Sequence, residues 1–99
     1  SEGYHVFTYS IANFPTFRSA EQIRNDVDYH QFSVTIVSVG GGLAYGNLGY
    51  SHHAVQDLAL MRTMHNILIS AHGNSLRALC KFLFKLDEIQ ITKLMVFQI

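Results

Sequence analysis

Two rhythms of hydrophobic positions alternate along the chain. His5 to Ser10 (HVFTYS) is β-branched and aromatic and reads as a first strand, closed by the turn chemistry of Asn13-Phe14-Pro15-Thr16. From Ser19 to about His30, Ala20, Ile23 and Val27 recur at helical spacing, with Glu21, Arg24, Asn25 and Asp28 elsewhere on the wheel; this predicts a first helix. Phe32 to Val39 (FSVTIVSV) carries little charge and many β-branched residues, the pattern of a strand buried on both faces of a parallel sheet.

Gly40-Gly41-Gly42 ends that strand, and the glycine-rich loop to Ser51 can take positive φ and let a ligand approach. Ser51 is a candidate N-cap for a second helix to about Met64, with Val55, Leu58, Ala59 and Met61 on its apolar face and Gln56 and Asp57 solvated. Asn66 to Ala71 (NILISA) reads as a third strand. Asn74 or Ser75 then caps a third helix to about Leu86, with Leu76, Leu79, Cys80, Leu83 and Phe84 as its stripe, and Leu94 to Ile99 (LMVFQI) closes the chain as a strand. The order β-α-β-α-β-α-β places the chain in the α/β class, as one domain over residues 1–99 with a four-stranded, mostly parallel sheet.

Composition narrows the function classes. In 99 residues, seven Lys plus Arg balance seven Asp plus Glu, so no net field draws in phosphate backbones or anionic lipid. Binding to nucleic acid or membrane is therefore not expected. No apolar run approaches the ~20 residues of a membrane span, and Ser1-Glu2-Gly3 lacks the basic start of a signal peptide, so a soluble, intracellular protein is the expectation. Cys80 is the single cysteine, which excludes an internal disulfide and a thiolate metal cluster. Low charge also leaves surfaces that attract one another, and a homodimer is expected.

Two families are visible in the motifs. HVFTYSIANFPTFRSAEQIRNDVDYH and VTIVSVGGGLAYGNLGYSHHAVQDLALMR, in that order, resemble the pyrimidine-binding region of transketolase-like, thiamin diphosphate enzymes over residues 5–66. ILISAHGNSLRALCKFLF resembles the C-terminal part of a cofactor-dependent phosphoglycerate mutase, over residues 67–99, with AHGNSLR as its signature. The junction falls within about His65 to Ile69, where short apolar strands of the two families are interchangeable. A Pro-Thr-Gly loop that the mutase likeness implies before the last strand is replaced by Ile91-Thr92-Lys93.

The transketolase likeness assigns Phe14 to an aromatic platform for the cofactor's pyrimidine ring, with Ile11 where a second aromatic would stand. It assigns His52, in Ser51-His52-His53, to substrate contact. The activating glutamate and the diphosphate-holding domain that the likeness implies do not occur in this sequence, so no cofactor is expected. Adjacent histidines at a helix start diverge, and no third ligand is placed by spacing; no metal site is expected.

The mutase likeness places His72 beside a phosphorylated histidine from an Arg-His-Gly motif, and that motif is absent. His72, Gly73, Asn74, Ser75 and Arg77 together still form a candidate site for weak phosphate or sulfate binding at a helix start. The alternative is a capped helix with a histidine at the sheet edge. His5, His30 and His65 read as surface or junction residues. Gly40-Gly41-Gly42 lacks the spacing of a dinucleotide fingerprint and reads as a turn.

The expected architecture is a flavodoxin/Rossmann-like three-layer sandwich. The transketolase likeness implies a strand between those matched by His5 to Ser10 and Phe32 to Val39, and Leu94 to Ile99 is the available filler. This gives a strand order of 1-4-2-3, with simple sequential order as the second choice. The functional expectation is an engineered chimeric domain without native catalysis. Residual phosphotransfer or phosphatase chemistry at His72 is the alternative.

Overall fold

The computed structural model describes residues 2–72 and 92–97. Its centre is a fully parallel sheet of β1 (Val6–Ile11), β2 (Val34–Val39), β3 (Ile67–His72) and β4 (Thr92–Phe97), in the order β1-β2-β4-β3. The α/β class and the parallel sheet follow from strands separated by helical segments, as the hydrophobic rhythm implies. The strand order differs from 1-4-2-3 and from sequential order alike. β1 lies directly against β2 from Val6↔Val34 to Ile11↔Val39, leaving no gap to fill. The opening lies between β2 and β3, and β4 occupies it, pairing Thr35↔Lys93 to Val39↔Phe97 on one side and Ile67↔Thr92 to His72↔Phe97 on the other. The chain between His72 and Thr92 exceeds the dozen or so residues that a parallel crossover requires. The helix expected over 75–86, and with it the third layer of the sandwich, lies outside the described residues.

Helix begins earlier than the periodicity predicts. Asn13-Phe14-Pro15-Thr16 is not a turn but part of α1 (Asn13–Arg18). The first N–H groups of a helix have no intrahelical acceptor, so Pro15 sacrifices no bond there. Thr16, 1% exposed, donates its hydroxyl proton to the Ala12 carbonyl at 2.6 Å. α2 (Ala20–Gln22) then widens into a π-helical turn, Ile23–Asp28. Its i→i−5 bonds run from Tyr29 N–H to the Arg24 carbonyl and from Phe32 N–H to the Val27 carbonyl. Ile23 is buried as predicted. Asp28, assigned to the polar side of the wheel, is buried too: its Oδ1 accepts the Asn66 backbone N–H at 2.8 Å, and its carbonyl accepts the Asn66 side-chain amide at 3.1 Å.

The second helix is far shorter than Ser51 to Met64. Gly42 and Ala54 exchange two backbone hydrogen bonds, of 3.1 and 2.9 Å, as an antiparallel bridge. That bridge holds the chain extended at His53, so α3 covers only Asp57–Met61. Ser51 therefore sits in a 3₁₀ turn, Tyr50–His52, and is not an N-cap. Val55 and Ala59, placed on the apolar face by the longer helix, are exposed.

The core lies on one face of the sheet. Ile23, Ile36, Met61 and Met64 are buried together, and Val34, Leu58, Ile67 and Ile69 pack against them. Phe7, Tyr9 and Leu68 alternate onto the opposite face and are exposed. No helix among the described residues is long and apolar enough to cross a membrane.

β4 is bonded on both sides, so a proline within it removes a ladder hydrogen bond at the centre of the sheet. Met95→Pro is expected to lose about 3 kcal/mol or more of stability and to abolish cooperative urea unfolding followed by circular dichroism. An unfolding midpoint unchanged from the parent would contradict the central position of β4.

Candidate functional site

All four strands are parallel, so their carboxyl ends share one edge, and Ile11, Val39, Phe97 and His72 stand in register along it. α1 follows β1 and brings Asn13 and Phe14 to this edge. The glycine-rich loop after β2 returns over it and delivers Ser51, His52 and His53. Gly40 begins that return at φ +72°, with the Tyr45 ring against its α-carbon: a methyl group there would meet Tyr45 Cε2 at 2.1 Å. The open backbone of Gly40 thus lets the loop fold flat on the sheet end.

The two residues assigned to the transketolase-like region meet. The Phe14 and His52 rings lie 5.5 Å apart, edge to face at 63°. The Arg18 guanidinium covers one face of Phe14 at 4.7 Å from the ring centroid. The Asn13 side-chain amide donates to the Ser51 carbonyl, and the Ser51 hydroxyl and His52 Nδ1 are hydrogen-bonded at 3.0 Å. His53 diverges from His52, its Nε2 lying 3.4 Å from the Gly46 carbonyl and its ring edge-on to Tyr50. No group of three potential ligands that could hold a metal ion occurs among the described residues.

His72 ends β3, three strand spacings from Ile11, or about 14 Å along the edge. Gly73, Asn74, Ser75 and Arg77 lie outside the described residues.

A family profile described as the transketolase, pyrimidine binding domain matches residues 1–94. The chain belongs to this family. It is 40% identical over 88 residues to an apulose-4-phosphate transketolase subunit of Phocaeicola vulgatus, covering 87% of this chain and 28% of that protein. It is 38% identical over 69 residues to a putative transketolase C-terminal section of Methanocaldococcus jannaschii, covering 70% and 22%. Among solved structures, a split-gene transketolase, crystallised as an inactive tetramer, superposes with a TM-score of 0.78 at 28% identity, over 97% of this chain and 30% of that one. This pyrimidine-binding domain thus spans less than a third of those relatives' lengths.

A second likeness runs through the same chain. A 29-residue stretch is 83% identical to the 2,3-bisphosphoglycerate-dependent phosphoglycerate mutase of Pelagibacter ubique, covering 29% of this chain and 12% of the mutase. The two likenesses together are consistent with a chimera. The transketolase match continues to residue 94, beyond the junction near residue 66 that the sequence blocks suggest.

A planar ring stacking on the face of Phe14 that Arg18 covers would have to displace the guanidinium. Several polar residues here escape the sequence pattern. Asn13 reads as a turn residue, and Arg18, within the block that resembles transketolase, is assigned no role there. His5, expected at the surface, is exposed but bridges two hydroxyls, with Ser33 Oγ at 2.6 Å from Nδ1 and Thr35 Oγ1 at 2.7 Å from Nε2.

Asp57, expected in solvent, is 5% exposed at the start of α3. Its Oδ1 accepts the Leu58 N–H at 2.7 Å, and its Oδ2 is buried without a hydrogen-bond partner. Burial raises its pKa above the ordinary carboxylate value, against the smaller lowering by backbone N–H groups.

A raised folded-state pKa contributes stability that is fully present below the unfolded pKa and lost as pH rises through the folded value. Asp57→Asn keeps the acceptor for Leu58 and removes the buried charge. The variant is expected to gain up to about 1 kcal/mol at pH 7 and to lose this part of the pH dependence, in urea unfolding compared between acidic and neutral pH. A variant less stable at pH 7 would place a stabilising partner on the carboxylate.

Proposed function

We propose that this chain is an engineered chimeric domain that folds but carries no catalysis of its own. The reading rests on one observation above all: β4, from the region that resembles a phosphoglycerate mutase, completes the sheet between β2 and β3. What the second piece contributes to the described residues is strand pairing. The Arg18 guanidinium on Phe14 supports the same reading.

A second reading, weak phosphate binding or phosphotransfer at His72 with Gly73, Asn74, Ser75 and Arg77, draws on the position of His72 at the carboxyl edge. Ligands of parallel sheets gather at that edge. A homodimer through the face bearing Phe7, Tyr9 and Leu68 is part of the proposal, because exposed aromatic surface on an uncharged strand favours self-association.

The test is an assay of the purified chain with ketose and aldose phosphates plus thiamin diphosphate and Mg²⁺, with a phosphoglycerate, and with a generic phosphoester. No multiple turnover is expected, while the chain unfolds cooperatively in urea. Turnover abolished by His52→Ala would restore the transketolase chemistry, and turnover abolished by His72→Ala would establish the second reading.

A further inference from the structure

Between α1, α2 and the core face of the sheet lies an open cavity of about 260 Å³, with Phe14, the ring singled out by the transketolase likeness, in its lining. Its floor is apolar: Ile23 and Val27 come from the helical side, Val34 and Ile36 from β2. Ile23 and Ile36 are buried, 5% and 3% exposed. Its rim is polar. Thr8 and Ser10 stand on β1 in register with Ile36 and Ser38, hence on the same face, and Ser19 and Arg18 face them from the end of α1.

These rim groups are uncommitted. No side-chain hydrogen bond to another described residue occupies the Thr8, Ser10 or Ser19 hydroxyls, and the guanidinium of Arg18 rests on Phe14 with no carboxylate in ion-pair range among the described residues. The Phe14 ring holds the cation without neutralising it. A guanidinium and hydroxyls lining one cavity suit a carboxylate, and the aliphatic floor suits a short hydrocarbon tail.

We propose that this cavity binds a small aliphatic monocarboxylate, its tail on Ile23, Val27, Val34 and Ile36 and its carboxylate on Arg18 and the rim hydroxyls. The volume of about 260 Å³ admits a chain of about six carbons. Each methylene buried contributes about 0.8 kcal/mol, so the tail supplies most of the affinity and Arg18 the choice of head group. The site is independent of whether the chain turns over any substrate.

The test is a titration of the full chain with sodium hexanoate, followed by methyl and backbone NMR signals, beside acetate, 1-hexanol and inorganic phosphate. Hexanoate is expected to shift Ile23 and Ile36 with millimolar or tighter affinity, acetate and hexanol to bind about tenfold more weakly, and phosphate to leave these signals in place. Arg18→Gln is expected to weaken hexanoate about fivefold or more and to leave hexanol unchanged. Hexanol binding as tightly as hexanoate, an indifferent Arg18→Gln, or signals unmoved at about 50 mM hexanoate would each overturn the proposal. If Arg18→Gln does not fold by circular dichroism, the comparison of hexanoate with hexanol on the parent chain decides the matter.

Discussion

The last strand in sequence is an interior strand in space, and the rest of the fold depends on that placement. β2 and β3 do not touch as strands; each finds its hydrogen-bond partners on that side in β4. Backbone N–H and C=O groups in a sheet interior have no access to water, so leaving such a seam open costs about 1 kcal/mol or more for each pair of unmet groups. The core above the sheet depends on the same closure. Ile36 of β2 and Ile67 and Ile69 of β3 converge on Ile23, Met61 and Met64 because β4 fixes the spacing between their strands.

The class of fold and its strands were legible in the sequence because β-branched runs separated by helical spacing have few other solutions. Each strand lies within two residues of its predicted start. Strand order was not legible, since both candidate gaps accept an apolar strand and only the direct pairing of β1 with β2 distinguishes them. Helix limits failed where tertiary bonds override local pattern. The Gly42–Ala54 bridge delays α3 to Asp57, and Pro15, a breaker in mid-helix, is tolerated in the first turn of α1.

The site was legible in part. Phe14 and His52, chosen through a family resemblance, meet across the carboxyl edge as ring against ring. Arg18 on Phe14 and the clasp of Asn13 on Ser51 were invisible, because the block that resembles transketolase assigned neither residue a role and each finds its partner through the fold. Asp57 illustrates the converse. A carboxylate at a helical polar position reads as solvated, yet the truncation of α3 turns it inward, where one oxygen has no donor. Charge identity is readable from sequence; whether that charge faces water depends on where the helix begins.

The clasp between Asp28 and Asn66 ties the end of the π-helical turn to the residue before β3. Asp28 receives both the main-chain and side-chain N–H groups of Asn66, one residue before β3 starts, so the incoming strand is aimed by a residue far upstream and not by its own sequence. The clasp thereby holds the threshold of β3 against the end of the π-helical turn across 38 residues of chain.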